Sequence, residues 1–345
     1  MPVTKIVQRS LRLSLALGVG LAAAVVVPTA AHAAPPASVT GWLQVWNLNT
    51  RHMTTDSVSN YKEFAYYITD DSRPGVDYLP DIVTLQEAGT NVDGINADSC
   101  QEFVKVLESR AAGQDYHCYE VLGAGKRGGS AVVYRTNRLS FSSKEEVRLK
   151  HRVNQGDPCT DSNEWFNLVV RLTDDAVSGK AVNVASVHLA TSDNEDADCA
   201  WENMKLLNSK IAARGASNMQ IMAGDWNNED AAVAGGSANW ECWYEGTSVG
   251  VGTCGGQNLG WKDAPYRACD TAANDTPIKK FNCIIGNHWT WGGDRRIDFL
   301  FAKAYTASGT GTVDYGQAYD ASVGLGTRAP KYSDHRGQGA ALKYY

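Results

Sequence analysis

Asp298 stands inside the apolar run Arg296-Ile297-Asp298-Phe299, where a buried carboxylate needs a partner. It is one of several acid, amide and imidazole groups placed at the ends of short apolar stretches. Trp46-Asn47-Leu48-Asn49 follows an alternating segment, Gln86-Glu87 follows Val83 to Leu85, and His188 ends the run from Val182 to Val187. Gly224-Asp225-Trp226-Asn227 follows Ile221 to Ala223, and Ser333-Asp334-His335 precedes the last apolar segment. Side chains of these types act as general acids and bases, and their oxygens are ligands for hard cations. A group carried at the end of a buried strand is held by rigid backbone, as catalytic geometry requires. Taken singly, each has a plain structural reading. Asn47 and the pair Asp334-His335 suit turns, Glu87 a solvated strand end, His188 a core position, and Asp225 and Asn227 helix caps.

These groups need strands to carry them. Gly41 to Leu48 alternates apolar and polar residues, which predicts a strand. Strands are also expected at Ile82–Leu85, Ser130–Tyr134, Glu164–Leu172, Ala181–Leu189, Met219–Ala223, Arg296–Phe301 and near Gly339–Leu342. Helical spacing predicts helices over Asp56–Asp70 (with Asp56 as N-cap), Ser99–Ala112 and Asp196–Ala213. The stretch from about 234 to 290 is rich in Gly and Trp and holds four cysteines, which predicts a disulfide-pinned excursion. No composition break divides the remainder, so residues 41–345 are expected to form a single α/β domain of layered sheets and outer helices.

Residues 1–33 have the pattern of a cleaved secretion signal. Lys5, Arg9 and Arg12 form a basic start, Leu13 to Val27 is an apolar run short for a bilayer span, and Ala31-His32-Ala33 is a small-x-small cleavage site. The expected product is secreted and soluble, begins at Ala34, and reaches the domain through a short Ala/Pro linker over 34–40. Its loss takes the net charge from −6 to −9. That balance excludes a strongly basic binder held on nucleic acid by counterion release. It leaves phosphate substrates open, because a metal and a local arginine cluster can supply the positive field. The eight cysteines lack any C-x-x-C pair and, behind a secretion signal, predict disulfides. As many as about 105 pairings exist for eight. Cys100 with Cys118, and Cys159 with Cys199, are the first expected.

In chain order, Asn47, Glu87, His188, Asp225 with Asn227, Asp298, and Asp334 with His335 resemble the signature of the endonuclease/exonuclease/phosphatase superfamily. That superfamily includes pancreatic-type deoxyribonuclease, abasic-site endonucleases, cytolethal distending toxin nucleases, neutral sphingomyelinases and inositol polyphosphate phosphatases. The resemblance spans Trp42 to about Leu342. It implies a four-layer sandwich, two packed β-sheets flanked by helices, with the site at one edge. It also implies a divalent cation on Glu87 with Asn47 and Asp334: Mg²⁺ by default, Mn²⁺ as substitute and Ca²⁺ as an aid, the oxygen-rich set arguing against zinc. By the same resemblance Asp298 holds the ring of His335, which acts as base or phosphate-polarising group. Asp225 orients or deprotonates the attacking water, Asn227 holds a phosphate oxygen, and His188 bonds the scissile phosphate or protonates the leaving oxygen.

Two departures stand out. Pancreatic-type enzymes carry a glutamate that orients the histidine corresponding to His188, on a strand matching Arg127-Gly128-Gly129-Ser130-Ala131-Val132-Val133-Tyr134, and this chain has no acid there. Trp226 also stands where a smaller apolar residue or Phe is usual, and is expected to fill core space. Arg127 either contacts phosphate or is a plain loop arginine. Arg295-Arg296 with Trp289 and Trp291 either bind a phosphate backbone and stack bases, or the two tryptophans pack beneath the excursion. The expected activity is secreted DNA cleavage to 5′-phosphate and 3′-hydroxyl ends. The alternatives are a phospholipid or sphingomyelin phosphodiesterase, a phosphomonoesterase, or a non-catalytic binding or toxin subunit. Nucleic acid is the expected partner, without stable membrane insertion and without an evident protein partner. A lipid enzyme needs an exposed apolar hairpin, for which Trp240–Trp243 is the one candidate.

Overall fold

The computed structural model describes residues 37, 41–51, 60–70, 78–88, 99–121, 129–152, 157–189, 197–215, 217–227, 261–264, 296–306, 309–311, 314–321 and 333–343. The expected secretion signal over 1–33, the expected linker apart from Ala37, Asp56, Arg127, Arg295, Trp289, Trp291 and the expected excursion apart from Trp261–Ala264 lie outside them. The described strands are β1 (Trp42–Asn49), β2 (Ile82–Gln86), β3 (Tyr116–Glu120), β4 (Ala131–Arg135), β5 (Leu139–His151), β6 (Thr160–Asp174) and β7 (Lys180–His188). They continue with β8 (Met219–Asp225), β9 (Lys262–Asp263), β10 (Asp298–Thr306), β11 (Gly309–Gly311), β12 (Asp314–Ala321) and β13 (Gly337–Lys343). The helices are α1 (Tyr61–Tyr67), α2 (Ser99–Arg110) and α3 (Ala197–Ala213).

Among the described residues, one sheet runs β12-β13-β1-β2-β4-β3 and the other β11-β10-β8-β7-β6-β5, with β9 paired to β10. The two have the same plan. A central parallel pair, β1/β2 or β7/β8, is flanked on both sides by antiparallel strands. Parallel neighbours need a crossover. The segment containing α1 joins β1 to β2, and the segment containing α3 joins β7 to β8.

Period-2 alternation builds the layers. Leu43 and Val45 of β1, Ile82 of β2 and Val132 of β4 meet Leu168, Val170, Val182, Val184, Ile221 and Leu300 of the second sheet in the central core. The intervening residues Trp46, Leu48, Val83 and Leu85 face α1 and α2, packing on Phe64, Tyr67, Phe103 and Leu107. On the other outer face Val169, Ala185, Val187, Met222, Phe299 and Phe301 pack on Met204, Leu207 and Ile211 of α3. The result is the expected four-layer α/β sandwich. Each fully buried side chain of this size contributes about 1.5–3 kcal/mol. Gly339 is small of necessity: a Cβ there would lie 2.8 Å from the Trp46 ring.

The expected strands and helices recur with shifted ends, and three differences have physical causes. The α1 N-cap is Asn60, whose Oδ1 accepts from Lys62 N at 3.1 Å. β5, unforeseen, is a 13-residue edge strand whose polar run Ser142-Ser143-Lys144-Glu145-Glu146 hides its alternation. β6 is longer than expected because it pairs along most of β5. Both first-expected disulfides form: Cys100–Cys118 joins α2 to β3, and Cys159–Cys199 joins the approach to β6 to α3. Among the described residues, no helix is long and apolar enough to cross a membrane.

Candidate active site

The inward-facing column of each central strand is apolar at one end of the sandwich and polar at the other. In β1 it reads Leu43, Val45, Asn47, Asn49, and in β7 it reads Val182, Val184, Ser186, His188. The polar groups therefore gather at the carboxyl ends of the two parallel pairs, where open α/β sheets place their ligands. The antiparallel strands bring groups there from their amino ends, namely Asp298 on β10 and His335 just before β13. Register sets His188, Asp225 and Asp298 side by side across β7, β8 and β10.

Asp225 is the centre of this row and is 1% exposed. Its Oδ2 accepts from Asn49 Nδ2 at 2.9 Å and lies 3.8 Å from His188 Nε2 and 3.7 Å from His335 Nε2. Its Oδ1 accepts from Asn227 N at 2.8 Å, closing a tight turn in which Asn227 has φ 50°. Asn227 Nδ2 donates to Leu189 O at 2.7 Å, tying that turn to the end of β7. Gly224 allows the close approach of β7 and β8, since a Cβ there would fall 1.8 Å from Val187 O.

Asp298 is fully buried, and its Oδ2 lies 2.8 Å from His335 Nδ1. The partner its apolar surroundings demanded is thus the imidazole. Burial alone would lower the pKa of His335, but the charges of Asp298 and Asp225 and the Asp298 hydrogen bond push it up to about 10. The two carboxylates thus favour the protonated ring, whose Nε2 lies 3.7 Å from Asp225 Oδ2. The His335 backbone N donates to Ser333 Oγ at 3.1 Å, and Ser333 Oγ donates to Asn49 O at 2.6 Å, anchoring this loop to β1. Asp334, half-buried between them, adds its negative charge to the field at His335.

Glu87 sits just past β2 with φ 55°, a left-handed conformation that costs a non-glycine residue roughly 1–2 kcal/mol. Its Oε1 accepts from Asn49 Nδ2 at 3.0 Å and lies 3.9 Å from His188 Nε2. One amide, Asn49, therefore holds a carboxylate from each sheet. Asn47 lies deeper. It is fully buried, and its Oδ1 accepts from Thr84 Oγ1 at 2.8 Å and Gln86 Nε2 at 2.9 Å. That oxygen, expected to face a metal, already has two donors. Period-2 alternation, which puts Asn47 and Asn49 on one face, was the signal that could have directed attention to Asn49.

Arg296 requires a correction. It is 2% exposed, forms a 2.6 Å ion pair with fully buried Asp263 and lies over the Phe299 ring, 4.4 Å from its centroid. Its charge is committed to pinning β9 beside β10, so it is not a phosphate contact. Trp226 fills outer-face core space against Phe301, as expected. Asn167, which the sequence did not single out, accepts the backbone N–H of His188 at 3.0 Å.

The donor set suits a hard divalent cation. Four carboxylates, Glu87, Asp225, Asp298 and Asp334, stand around two imidazoles, and oxygens predominate. Ligand atoms of Asp225, Asp298 and His335 lie within 4.8 Å of one another.

The sandwich and this cluster define a hydrolase acting on phosphoester bonds. Residues 46–335 match the Endonuclease/Exonuclease/phosphatase family, and the chain belongs to that divalent-metal-dependent family. In structure it is similar to D. rerio TDP2 humanized by 14 mutations, with 18% identity and a TM-score of 0.54 over 88% of this chain and 99% of that one. D. rerio TDP2 complexed with single strand DNA product is 17% identical, with a TM-score of 0.52 and coverage of 88% and 99%. The human Nocturnin catalytic domain with bound sulfate anion is 15% identical, with a TM-score of 0.54 and coverage of 90% and 100%. At these identities the likeness is one of fold. No curated protein sequence matches the chain.

Proposed function

We propose that the protein is a secreted, Mg²⁺-dependent phosphodiesterase that cleaves DNA to 5′-phosphate and 3′-hydroxyl ends. The observation that carries this reading is the convergence of Asp225 Oδ2 on both imidazoles, 3.8 Å from His188 and 3.7 Å from His335. A phosphodiester between the two rings would have an acceptor for the proton of water beside it and imidazole donors on either side. A relative solved with single strand DNA product and another with bound sulfate support the choice of substrate class.

The chain's own groups divide the work as follows. Asp225 orients the attacking water and accepts its proton. His335, its Nδ1 held by Asp298, donates from Nε2 to a non-bridging phosphate oxygen. Asn227 stabilises a second oxygen. As the bond from phosphorus to the 3′ oxygen breaks, His188 protonates that oxygen. Glu87 and Asp334, with Asn49 fixing Glu87, would hold the cation, which when bound neutralises charge building on the phosphate oxygens.

The test gives the protein beginning at Ala34 plasmid DNA, RNA, sphingomyelin and a phosphoinositide, each with Mg²⁺ or with chelator. Plasmid nicking that chelator stops is expected. Degradation that survives chelation would overturn the metal, and lipid turnover with intact plasmid would overturn the nuclease reading. Recovery of the mature chain from culture medium of the producing cells tests secretion.

A further inference from the structure

His188 is held from its main chain in an unusual way. The antiparallel register of β6 and β7 runs from Asp174↔Lys180 to Leu168↔Ser186 and ends there. Beyond it, the His188 N–H is taken by a side chain: it donates to Asn167 Oδ1 at 3.0 Å. The same oxygen accepts from Ser130 Oγ at 3.1 Å. Ser130 immediately precedes β4, which belongs to the other sheet, and both Ser130 and Asn167 are fully buried. Gly129 next to it accepts from Ala88 N at 2.8 Å, and Ala88 follows Glu87. A continuous path therefore leads from the Glu87 turn through Gly129-Ser130 and Asn167 to His188. Trp165, two residues before Asn167, sets its ring edge-on to the imidazole at 5.5 Å and 89°.

We propose that Asn167 is a positioning residue: a cross-sheet pin that, through the His188 main chain, sets His188 against Glu87 and Asp225 in a chain whose Arg127–Tyr134 stretch has no acid to orient it. The proposal rests on the phosphodiesterase reading for its kinetic consequence but not for its structural one. The two sheets meet here through a core that carries no covalent link among the described residues, so the His188 Nε2 to Glu87 Oε1 separation of 3.9 Å depends on hydrogen bonds across it: Ser186 Oγ ties β7 to Leu85 O and Gln86 Nε2 of β2 two residues earlier, and Asn167 with Ser130 ties the His188 main chain itself to the start of β4. Displacement of a catalytic group by about 1 Å costs on the order of a hundredfold in rate. Both bonds are accepted by one oxygen, and Asn167 Nδ2 has no hydrogen-bond partner among the described residues. A carboxylate keeps an acceptor for both bonds at the cost of a buried charge, whereas leucine loses both.

The test compares Asn167→Leu, Asn167→Asp and Ser130→Ala in the full chain by amide hydrogen exchange and by hydrolysis of bis(p-nitrophenyl) phosphate with Mg²⁺. In Asn167→Leu the His188 amide is expected to exchange about tenfold faster or more while α3 amides keep their protection. kcat should fall about 10–100-fold, with KM within about threefold. Asn167→Asp should recover part of the His188 protection, while its rate also carries the cost of the buried charge. If Asn167→Leu does not fold, Ser130→Ala carries the test, with a smaller change at the same amide. Unchanged His188 protection in Asn167→Leu, or a loss confined to KM, would each overturn the pin. A wild-type protein inactive on every phosphodiester would sink the phosphodiesterase reading alone, since the exchange comparison still decides the pin.

Discussion

Asp298 Oδ2 and His335 Nδ1 lie 2.8 Å apart in the interior of the sandwich, joining the first residue of β10 to the loop that enters β13. The bond fixes the ring and leaves Nε2 facing Asp225. Asp298→Asn keeps the shape, removes the charge and allows the wrong tautomer. Hydrolysis should fall about 10²–10⁴-fold while the folded structure persists. Near-wild-type turnover by purified Asp298→Asn would show that the pair is structural only.

Gly224 leads to a second expectation. In Gly224→Ala the new methyl would meet backbone atoms of Val187, with Val187 O at 1.8 Å and Val187 C at 2.6 Å, so strands rather than flexible side chains must move. A loss of about 1–3 kcal/mol or more is expected. Activity should drop further than stability alone explains, because Asp225 is the next residue. Thermal unfolding and rate measured on the same preparation decide it; an alanine variant with wild-type Tm would mean the strands are less closely set.

The far end of the sandwich carries a different polar system. Asp81 is fully buried and pairs with Arg135 at 2.5 Å and Arg138 at 2.9 Å, while Arg138 also pairs with Asp174 at 2.8 Å. Asp81 also accepts from Gln44 N at 2.8 Å, so the network clamps the starts of β1 and β2 to the end of β4. Removing one partner strands a buried charge, at a cost of about 3–5 kcal/mol. Arg138→Met should therefore lower the denaturation midpoint strongly. The folded fraction should keep its rate, since Asp81 lies about 20 Å down β2 from Glu87 at the rise of an extended strand. Equal stability of wild type and variant would refute the clamp.

What was legible in the sequence follows from these arrangements. Alternation in Trp42–Asn49 and the polar residues ending apolar runs reveal both the strands and the edge at which they deliver chemistry. Asp298 could be read as partnered because burial demands it. Arg296 could not be read correctly, because its partner Asp263 is distant in sequence and an arginine beside a site suits either role. Asn167 was silent for the same reason: an asparagine inside a strand carries no mark of a contact across two sheets. β5 escaped because an edge strand exposed to water needs little apolar periodicity.

Glu145 on β5 faces Lys210 at 2.7 Å and Arg214 at 2.5 Å on and after α3. Burial would raise its pKa, but the hydrogen bonds and charges of Lys210 and Arg214 outweigh it and hold the carboxyl below its usual value. A depressed folded pKa means stability that is present above the unfolded value and lost as pH falls through the folded one. Glu145→Gln should thus be less stable than wild type at pH 7, by about 1 kcal/mol or less for so exposed a site. The gap should close as both proteins are taken into acid. Urea midpoints of the pair at neutral and acid pH report this, and a gap that does not change with pH would contradict it.

Asn47 and Asn49 make the sharpest comparison, because they are the same residue type two positions apart on one face of β1. Asn49 Nδ2 joins Glu87 and Asp225 at 3.0 and 2.9 Å, so Asn49→Ala frees one carboxylate on each side of the site. Its expected effect is a rate loss of about 10–100-fold with a small change in stability. Asn47 Oδ1 instead satisfies Thr84 Oγ1 and Gln86 Nε2. Asn47→Ala takes that acceptor from both buried donors, a cost of about 1–3 kcal/mol. Its activity per folded molecule should fall less than that of Asn49→Ala. Gln86 carries the remaining effect, since its Nε2 also donates to Ser186 Oγ at 3.1 Å, two residues before His188. If Asn47→Ala proves the more damaging in rate and Asn49→Ala the more damaging in Tm, Asn47 rather than Asn49 serves the catalytic groups.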